Sequence, residues 1–381
     1  MTALITTVAV CAATLLMAAS AYLWLSARKV VRSRPARRLE VRWEGARVEL
    51  PTTQLTRAPG KYGVWVSTSA ATGHLLVGDV IEDNRETGRL TRELVSVAGL
   101  QDRGRGWGDF TGQLYPGPET VAPSRWGSVT VPASAGFCPG WTVSPPQLKS
   151  SLWAVHVHGI GTTRRTALRT VPVSDQLGMT SLVVSLRGDS EGPPVPGNSS
   201  TLGATEWEDV DAAVAFAVAG GASGVVLFAW SMGASAAFMA AYRGDNRAWI
   251  RAVVAIAPVT DWLETVRAGA RRAHLPKFMG SMTAWGLGQN LIARSLGLQE
   301  SINFSDLRQA TEAAAEHLPT LIVHSELDPQ VPFATSQRLA ASHPSSVQLR
   351  AFQTLGHAWE FNADPAGFNS TISQWLCGLP Q

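Results

Sequence analysis

The stretch Val225-Val226-Leu227-Phe228-Ala229-Trp230-Ser231-Met232-Gly233-Ala234-Ser235-Ala236 decides how the rest of the chain is read. An uninterrupted apolar run ends at a serine, a glycine follows two residues later, and small helix-compatible residues come next. The pattern predicts a buried parallel strand, a sharp turn and a helix. Ser231 then sits at the turn, with its hydroxyl at the C-terminal end of the strand. Gly233 lets the helix pass close to the strand, and the backbone N–H of Met232 is placed to meet a developing oxyanion. Within Gly-x-Ser-x-Gly logic the first position is Ala229, the smallest residue with a Cβ. A serine that merely begins a helix as its N-cap would look similar in isolation, so the surrounding elements must decide.

Working outward, apolar strands are expected at residues 153–157, 182–186, 225–229, 252–257, 320–324 and 347–352. Residues 128–131 and 141–143 are expected as an antiparallel pair before them. Helices are expected at 163–171, 206–219 and 366–376. Strands alternating with helices imply a mostly parallel sheet covered on both faces. Residues 258–318 interrupt the alternation with helical pieces at 261–270, 283–296 and 307–316, read either as a lid above the sheet's C-terminal edge or as packing helices.

A serine hydroxyl is a poor nucleophile near neutral pH and needs a base within hydrogen-bond reach, itself oriented by a carboxylate. In such a sheet these groups come from loops after strands. Asp328 follows the strand at 320–324, in Asp328-Pro329-Gln330-Val331-Pro332, and His357 follows the strand at 347–352, in Gly356-His357. Glu326 is the alternative acid. His343 precedes its strand and falls at the wrong edge, and His324 closes a strand as a structural polar contact. His158-Gly159-Ile160-Gly161 follows the strand at 153–157, where a second oxyanion donor belongs. The Ile160 N–H is assigned to that role, with Gly159 and Trp230 beside the substrate.

Together these pieces resemble the α/β-hydrolase superfamily from about residue 126 to the C-terminus. More narrowly, they are similar to the serine hydrolases grouped with lysophospholipases, carboxylesterases and prolyl-oligopeptidase-like peptidases. Thr205-Glu206-Trp207-Glu208-Asp209-Val210 also resembles actinobacterial members that carry an N-terminal anchor. Ala229 stands where most members have glycine. The resemblance implies acyl transfer through Ser231, His357 and Asp328 without a cofactor, on a small-molecule or lipid ester. A peptidase would need a site for the substrate's amino terminus, which Asp189 or Glu191 could supply, although both also suit solvated loop positions. A membrane-tethered interaction module with a vestigial triad is the remaining alternative.

Residues 3–26 are almost wholly apolar and uncharged, long enough for a bilayer-spanning helix, with Tyr22 and Trp24 near one end. Arg28, Lys29, Arg32, Arg34, Arg37 and Arg38 follow. The absence of basic residues before the run argues for an uncleaved anchor, and the basic flank places the C-terminal side in the cytoplasm. Residues 39–125 are expected as a β-rich membrane-proximal extension, with strands near 62–67 and 74–81 and either a strand or a short helix at 89–97. The chain therefore divides into an anchor and basic flank (1–38), the extension (39–125) and a catalytic domain (126–381).

Of 381 residues, 45% are hydrophobic and 16% charged, a core-forming composition, and the formal charge of +3 suggests no nucleic-acid partner. The three cysteines show no Cys-x-x-Cys spacing, so neither a zinc nor a redox site is expected. A Cys138–Cys377 disulfide is conceivable but has no spacing to support it. Gly104-Arg105-Gly106-Trp107-Gly108 lacks the strand-then-helix setting of a phosphate loop.

Overall fold

The computed structural model describes residues 2–32 and 38–379. A helix, α1 (Thr2–Val31), leads into six strands: β1 (Leu39–Glu44), β2 (Arg47–Pro51), β3 (Tyr62–Ser67), β4 (Thr72–Asn84), β5 (Arg89–Ala98) and β6 (Arg103–Thr111). These close into an antiparallel barrel in the order β1-β2-β5-β4-β3-β6. Residues 89–97 thus resolve as a strand. Closure removes free sheet edges and encloses a core of Val41, Val48, Leu50, Val64, Leu75 and Leu90. Arg92 is buried in the barrel and donates to the carbonyls of Gly78, Thr56, Ala58 and Gly60. It thereby ties the β2–β3 connection to the wall.

The second sheet has eight strands: β7 (Trp126–Ala133), β8 (Gly136–Val143), β9 (Leu152–Val157), β10 (Thr180–Val184), β11 (Gly224–Trp230), β12 (Ile250–Ile256), β13 (Thr320–Ser325) and β14 (Val347–Phe352). Their order is β14-β13-β12-β11-β9-β10-β8-β7. The first six in that order are parallel, whereas β8 joins β10, and β7 joins β8, antiparallel. Central β11 is buried along its whole length, which is why its sequence is continuously apolar rather than alternating. Its neighbouring residues face opposite layers: Leu227 and Ala229 join one core, Phe228 and Trp230 the other.

The covering helices are α2 (Val171–Gln176), α3 (Trp207–Ala219), α4 (Met232–Arg243), α5 (Trp262–Arg272), α6 (Lys277–Leu287), α7 (Asn290–Ser295), α8 (Phe304–His317), α9 (Phe333–Ser342), α10 (Glu360–Ala363) and α11 (Pro365–Cys377). Two expectations need correction. The helix expected at 163–171 is a 3-10 turn, Arg164–Thr170, with the α-helix starting only at Val171, where Pro172 suits a first turn. The single helix expected at 283–296 is two, divided at Gly288. No disulfide forms: Cys138 is buried as a free thiol, and Cys11 and Cys377 are exposed.

No helix among the described residues is long and apolar enough to cross a membrane, so the spanning anchor expected at 3–26 finds no support there. The side chains at 1–5, 8–9, 12–13 and 15–16 lie outside the described residues, as do Arg34 and Arg37 of the basic flank. The C-terminal end of α1 is built into the domain of the eight-stranded sheet instead. Ala27 and Val31 are fully buried, Ser26 Oγ is 2.8 Å from Thr283 Oγ1 on α6, and the Val31 carbonyl accepts from the Ser200 N–H at 2.8 Å.

Candidate active site

Three loops at the C-terminal edge of the parallel sheet converge. Ser231 follows β11 with φ 53° and ψ −114°, a left-handed conformation that costs a non-glycine residue on the order of 1–3 kcal/mol. The surroundings hold it there. The Ser231 N–H donates to the Ile256 carbonyl at 2.9 Å. A Cβ at Gly233 would come within 2.5 Å of the His158 carbonyl oxygen, so only glycine lets α4 pass this close. Ala229 is fully buried between β9 and β12 without disturbing the strand.

Ser231 Oγ lies 2.8 Å from His357 Nε2, and His357 Nδ1 lies 2.6 Å from Asp328 Oδ2. The residues are 126 and 29 positions apart along the chain and are brought together as the strand ends required. The Asp328 side chain is fully buried. Its Oδ1 accepts the N–H groups of Gln330 and Val331, which fixes the turn. Burial would raise its pKa, but the charge of His357 and the hydrogen bonds from His324 and His357 outweigh that and hold it well below the usual carboxylate range. For His357, burial opposes the imidazolium. The Asp328 charge and hydrogen bond overcome it and raise the pKa above the ordinary histidine value. The arrangement can take a proton from the serine hydroxyl and stabilise the resulting positive charge.

Gly159 presses against Ser231: a Cβ there would meet Ser231 Cβ at 3.1 Å. Its carbonyl accepts from Thr162 Oγ1 at 2.8 Å, which shapes the turn carrying Ile160. Met232 opens α4 directly after Ser231, so its N–H is among the first four that a helix leaves without an internal partner.

The serine and histidine face a cavity of about 580 Å³. Its walls include Ile160, Val259, Trp262, Val266, Leu275 and Val331, and from α1 Tyr22, Leu25, Ser26 and Lys29. Thus α5 and α6 roof the cavity, whereas α8 packs on α4 behind it. The contribution of α1 was not foreseen, because a long apolar run carries no sign of which of its turns will touch protein.

Trp230 requires a correction. It is 1% exposed, stacks near Phe368 and lies under the Arg169 guanidinium at 3.9 Å. Being next to Ala229 on a strand, it points to the layer opposite the cavity. Arg169 in turn donates to the Ala358 carbonyl and to Asn362 Oδ1, so Trp230 braces the histidine loop from behind. His324, expected as a structural contact, touches the site directly, with Nε2 3.3 Å from Asp328 Oδ2. Its position four residues before Asp328 was the available signal. Asp189 and Glu191 are both engaged in ion pairs and not free for a substrate ammonium. Asp189 pairs with His158 at 2.8 Å, and Glu191 is held by Arg164 and Arg165.

The barrel also reaches the site. Trp359, two residues after His357, packs against Tyr62 and Phe110 in the barrel core. Asn362 donates to the carbonyls of Lys61 and Gly112.

Comparison with known proteins agrees with this architecture. The model of the alpha/beta hydrolase family matches residues 154–371, more than half of the chain, and the chain belongs to that family. Residues 38–108, nearly the whole barrel, match a domain of unknown function (DUF8805). The Pyrococcus furiosus esterase Pf2001 is similar in structure, with a TM-score of 0.51 and 16% identity over 68% of this chain and 93% of that one. An esterase from Pyrobaculum calidifontis gives a TM-score of 0.47 and 16% identity over 66% and 83% of the two chains. At this identity the likeness to Pf2001 shows a shared fold. No curated protein sequence matches the chain.

Proposed function

We propose that the protein is a serine hydrolase that cleaves a carboxylic ester through an acyl-enzyme. The observation that carries this reading is the continuous hydrogen-bond chain Ser231–His357–Asp328, at 2.8 and 2.6 Å, opening on the cavity. Ser231 attacks the carbonyl carbon as its proton passes to His357 Nε2. Asp328 holds the imidazole and balances its charge. The N–H groups of Ile160 and Met232 receive the oxyanion. Collapse of the tetrahedral intermediate expels the alcohol, which takes the proton from His357, and a water activated by the same base then releases the acid. No step calls for a metal or an organic cofactor.

An ester is favoured over a peptide because Asp189 and Glu191 are engaged by His158, Arg164 and Arg165, so the acidic anchor for an amino terminus is missing where it was expected. The apolar walls suit an acyl chain, which supports a lipid ester. Membrane attachment through α1 belongs to the same proposal, on the strength of the uncharged apolar run at 3–26. Resistance of the full chain to alkaline extraction from membranes tests it, and protease accessibility tests the cytoplasmic placement of the catalytic domain.

A fluorophosphonate probe should label the wild type, and Ser231→Ala should neither label nor turn over acyl esters, with a kcat loss of roughly 10⁴-fold or more. Undiminished turnover by Ser231→Ala would remove the nucleophile, and a wild type inert to the probe would favour the vestigial module.

A further inference from the structure

Helix α6 is amphipathic in an unusual sense. Its buried face, Gly280, Thr283, Ala284 and Leu287, packs inward at i, i+3, i+4 and i+7. The outward face is also apolar: Phe278, Met282 and Trp285 recur at i, i+4 and i+7 and are 62%, 38% and 61% exposed. Leu291, on the next helix, is 82% exposed. Aromatic residues and methionine on an outward helix face suit a partner that is apolar at depth and polar at its edge.

The charges nearby are mainly basic, with Glu264 pairing to Arg267 and Lys277. Between Glu264 and Glu300 the chain carries Arg267, Arg271, Arg272, Lys277 and Arg294 and no acidic residue. The neighbouring helix agrees: no acidic residue precedes Glu40, while Arg28 and Lys29 lie in the last turn of α1. The two helices lie side by side. Leu23 fills the space above Gly286, and Ser26 bonds to Thr283. On α1 itself Leu25 is exposed, as are Val10 and Met17 nearer its N-terminus. Leu25 and Lys29, both exposed, also line the cavity beside Ser231, so the cavity reaches the surface next to α1.

We propose that the α1–α6 face docks on an anionic lipid bilayer. Phe278, Met282 and Trp285 enter the interfacial layer, and the flanking lysine and arginine residues meet the headgroups. An apolar helix face fringed by cations is the chemistry of an interfacial helix. A partner protein of acidic character would satisfy the cations but not the apolar face. A second copy of this chain would bring like charges together. On a bilayer, a lipid ester passes from the membrane into the cavity along Leu25 without crossing water.

The experiment uses the full chain in phosphatidylcholine vesicles with and without phosphatidylglycerol. Cys11 and Cys377 are replaced by serine, buried Cys138 is kept, and Met282→Cys carries an environment-sensitive fluorophore. A matched label replaces Gln374 on α11, away from this face. The emission is read on protein recovered with the vesicles, so the label reports contact of the face rather than attachment alone. The expected result is a blue-shifted emission at 282, quenched by brominated lipid and protected from aqueous iodide, stronger with phosphatidylglycerol and absent at 374. In addition, Phe278→Ser/Trp285→Ser should lower turnover of a vesicle-borne ester at least tenfold relative to a soluble short-chain ester. Equal iodide access at 282 with and without vesicles would overturn the proposal. So would a shift that appears without lipid and grows with protein concentration, the mark of self-association. The label reads docking without any hydrolysis, so failure of the proposed ester chemistry would be seen separately.

Discussion

His324 and His357 address the same oxygen: Asp328 Oδ2 lies 2.6 Å from Nδ1 of His357 and 3.3 Å from Nε2 of His324. His324 is fully buried and its other nitrogen, Nδ1, is 2.8 Å from Ser336 Oγ, so the ring is fixed at both ends. The carboxylate is therefore oriented by an imidazole that never meets the substrate. A hydrogen bond to a charged group contributes about 1.5–3 kcal/mol. His324→Gln should lower kcat by about tenfold to a hundredfold while KM stays within about twofold. Steady-state kinetics on a soluble ester checks this. An unchanged kcat, or a loss confined to KM, would show that His324 has only a packing role.

The pH dependence follows from the raised pKa of His357. The base works only when neutral, so kcat/KM rises with pH as the imidazolium loses its proton. Because the Asp328 carboxylate favours the imidazolium, the midpoint of this rise should lie above the ordinary histidine value of 6.5. Asp328→Asn removes that support. It should shift the midpoint downward and reduce kcat by roughly 10⁴-fold. A pH–rate profile of the free enzyme whose midpoint stays put in Asp328→Asn would contradict the pairing.

Glu360 introduces a pH term of a different kind. It is fully buried behind the site, and its Oε1 accepts the Ser325 N–H at 3.0 Å. Burial, reinforced by the Asp328 charge, pushes its pKa up to about 7 from 4.5. A folded-state pKa above the unfolded one means that the protonated form favours the fold. That stabilisation is complete below about pH 4.5 and is lost as pH rises through about 7. Glu360→Gln keeps the acceptor and cannot ionise. Its free energy of unfolding should match the wild type near pH 5 and exceed it near pH 8.5, by an amount on the order of a few kcal/mol at most. Parallel unfolding curves at the two pH values would disprove this account.

The sheet and the three converging loops were legible in the sequence because each rests on a local signal: an apolar run, then a serine, aspartate or histidine. Features set by non-local contacts were hidden. Closure of the barrel depends on β1 meeting β6 across more than fifty intervening residues, with Leu39 opposite Gly108, and no periodicity records that. Nothing in the sequence around Arg92 marks it as buried, yet four backbone carbonyls receive it inside the barrel. Trp230 was misplaced because its adjacency to Ser231 in sequence suggested adjacency to substrate, whereas the alternation of a strand turns it the other way. The terminal turns of α1 were misread for the opposite reason. Apolarity alone does not separate a face meant for lipid from one meant for α6.

Trp359 is at once a core residue of the barrel and a near neighbour of His357 in sequence. The amino-terminal barrel is therefore no detachable cassette. Any shuffling of this module onto another hydrolase would have to carry the histidine loop with it, and the two segments can drift in sequence only in step.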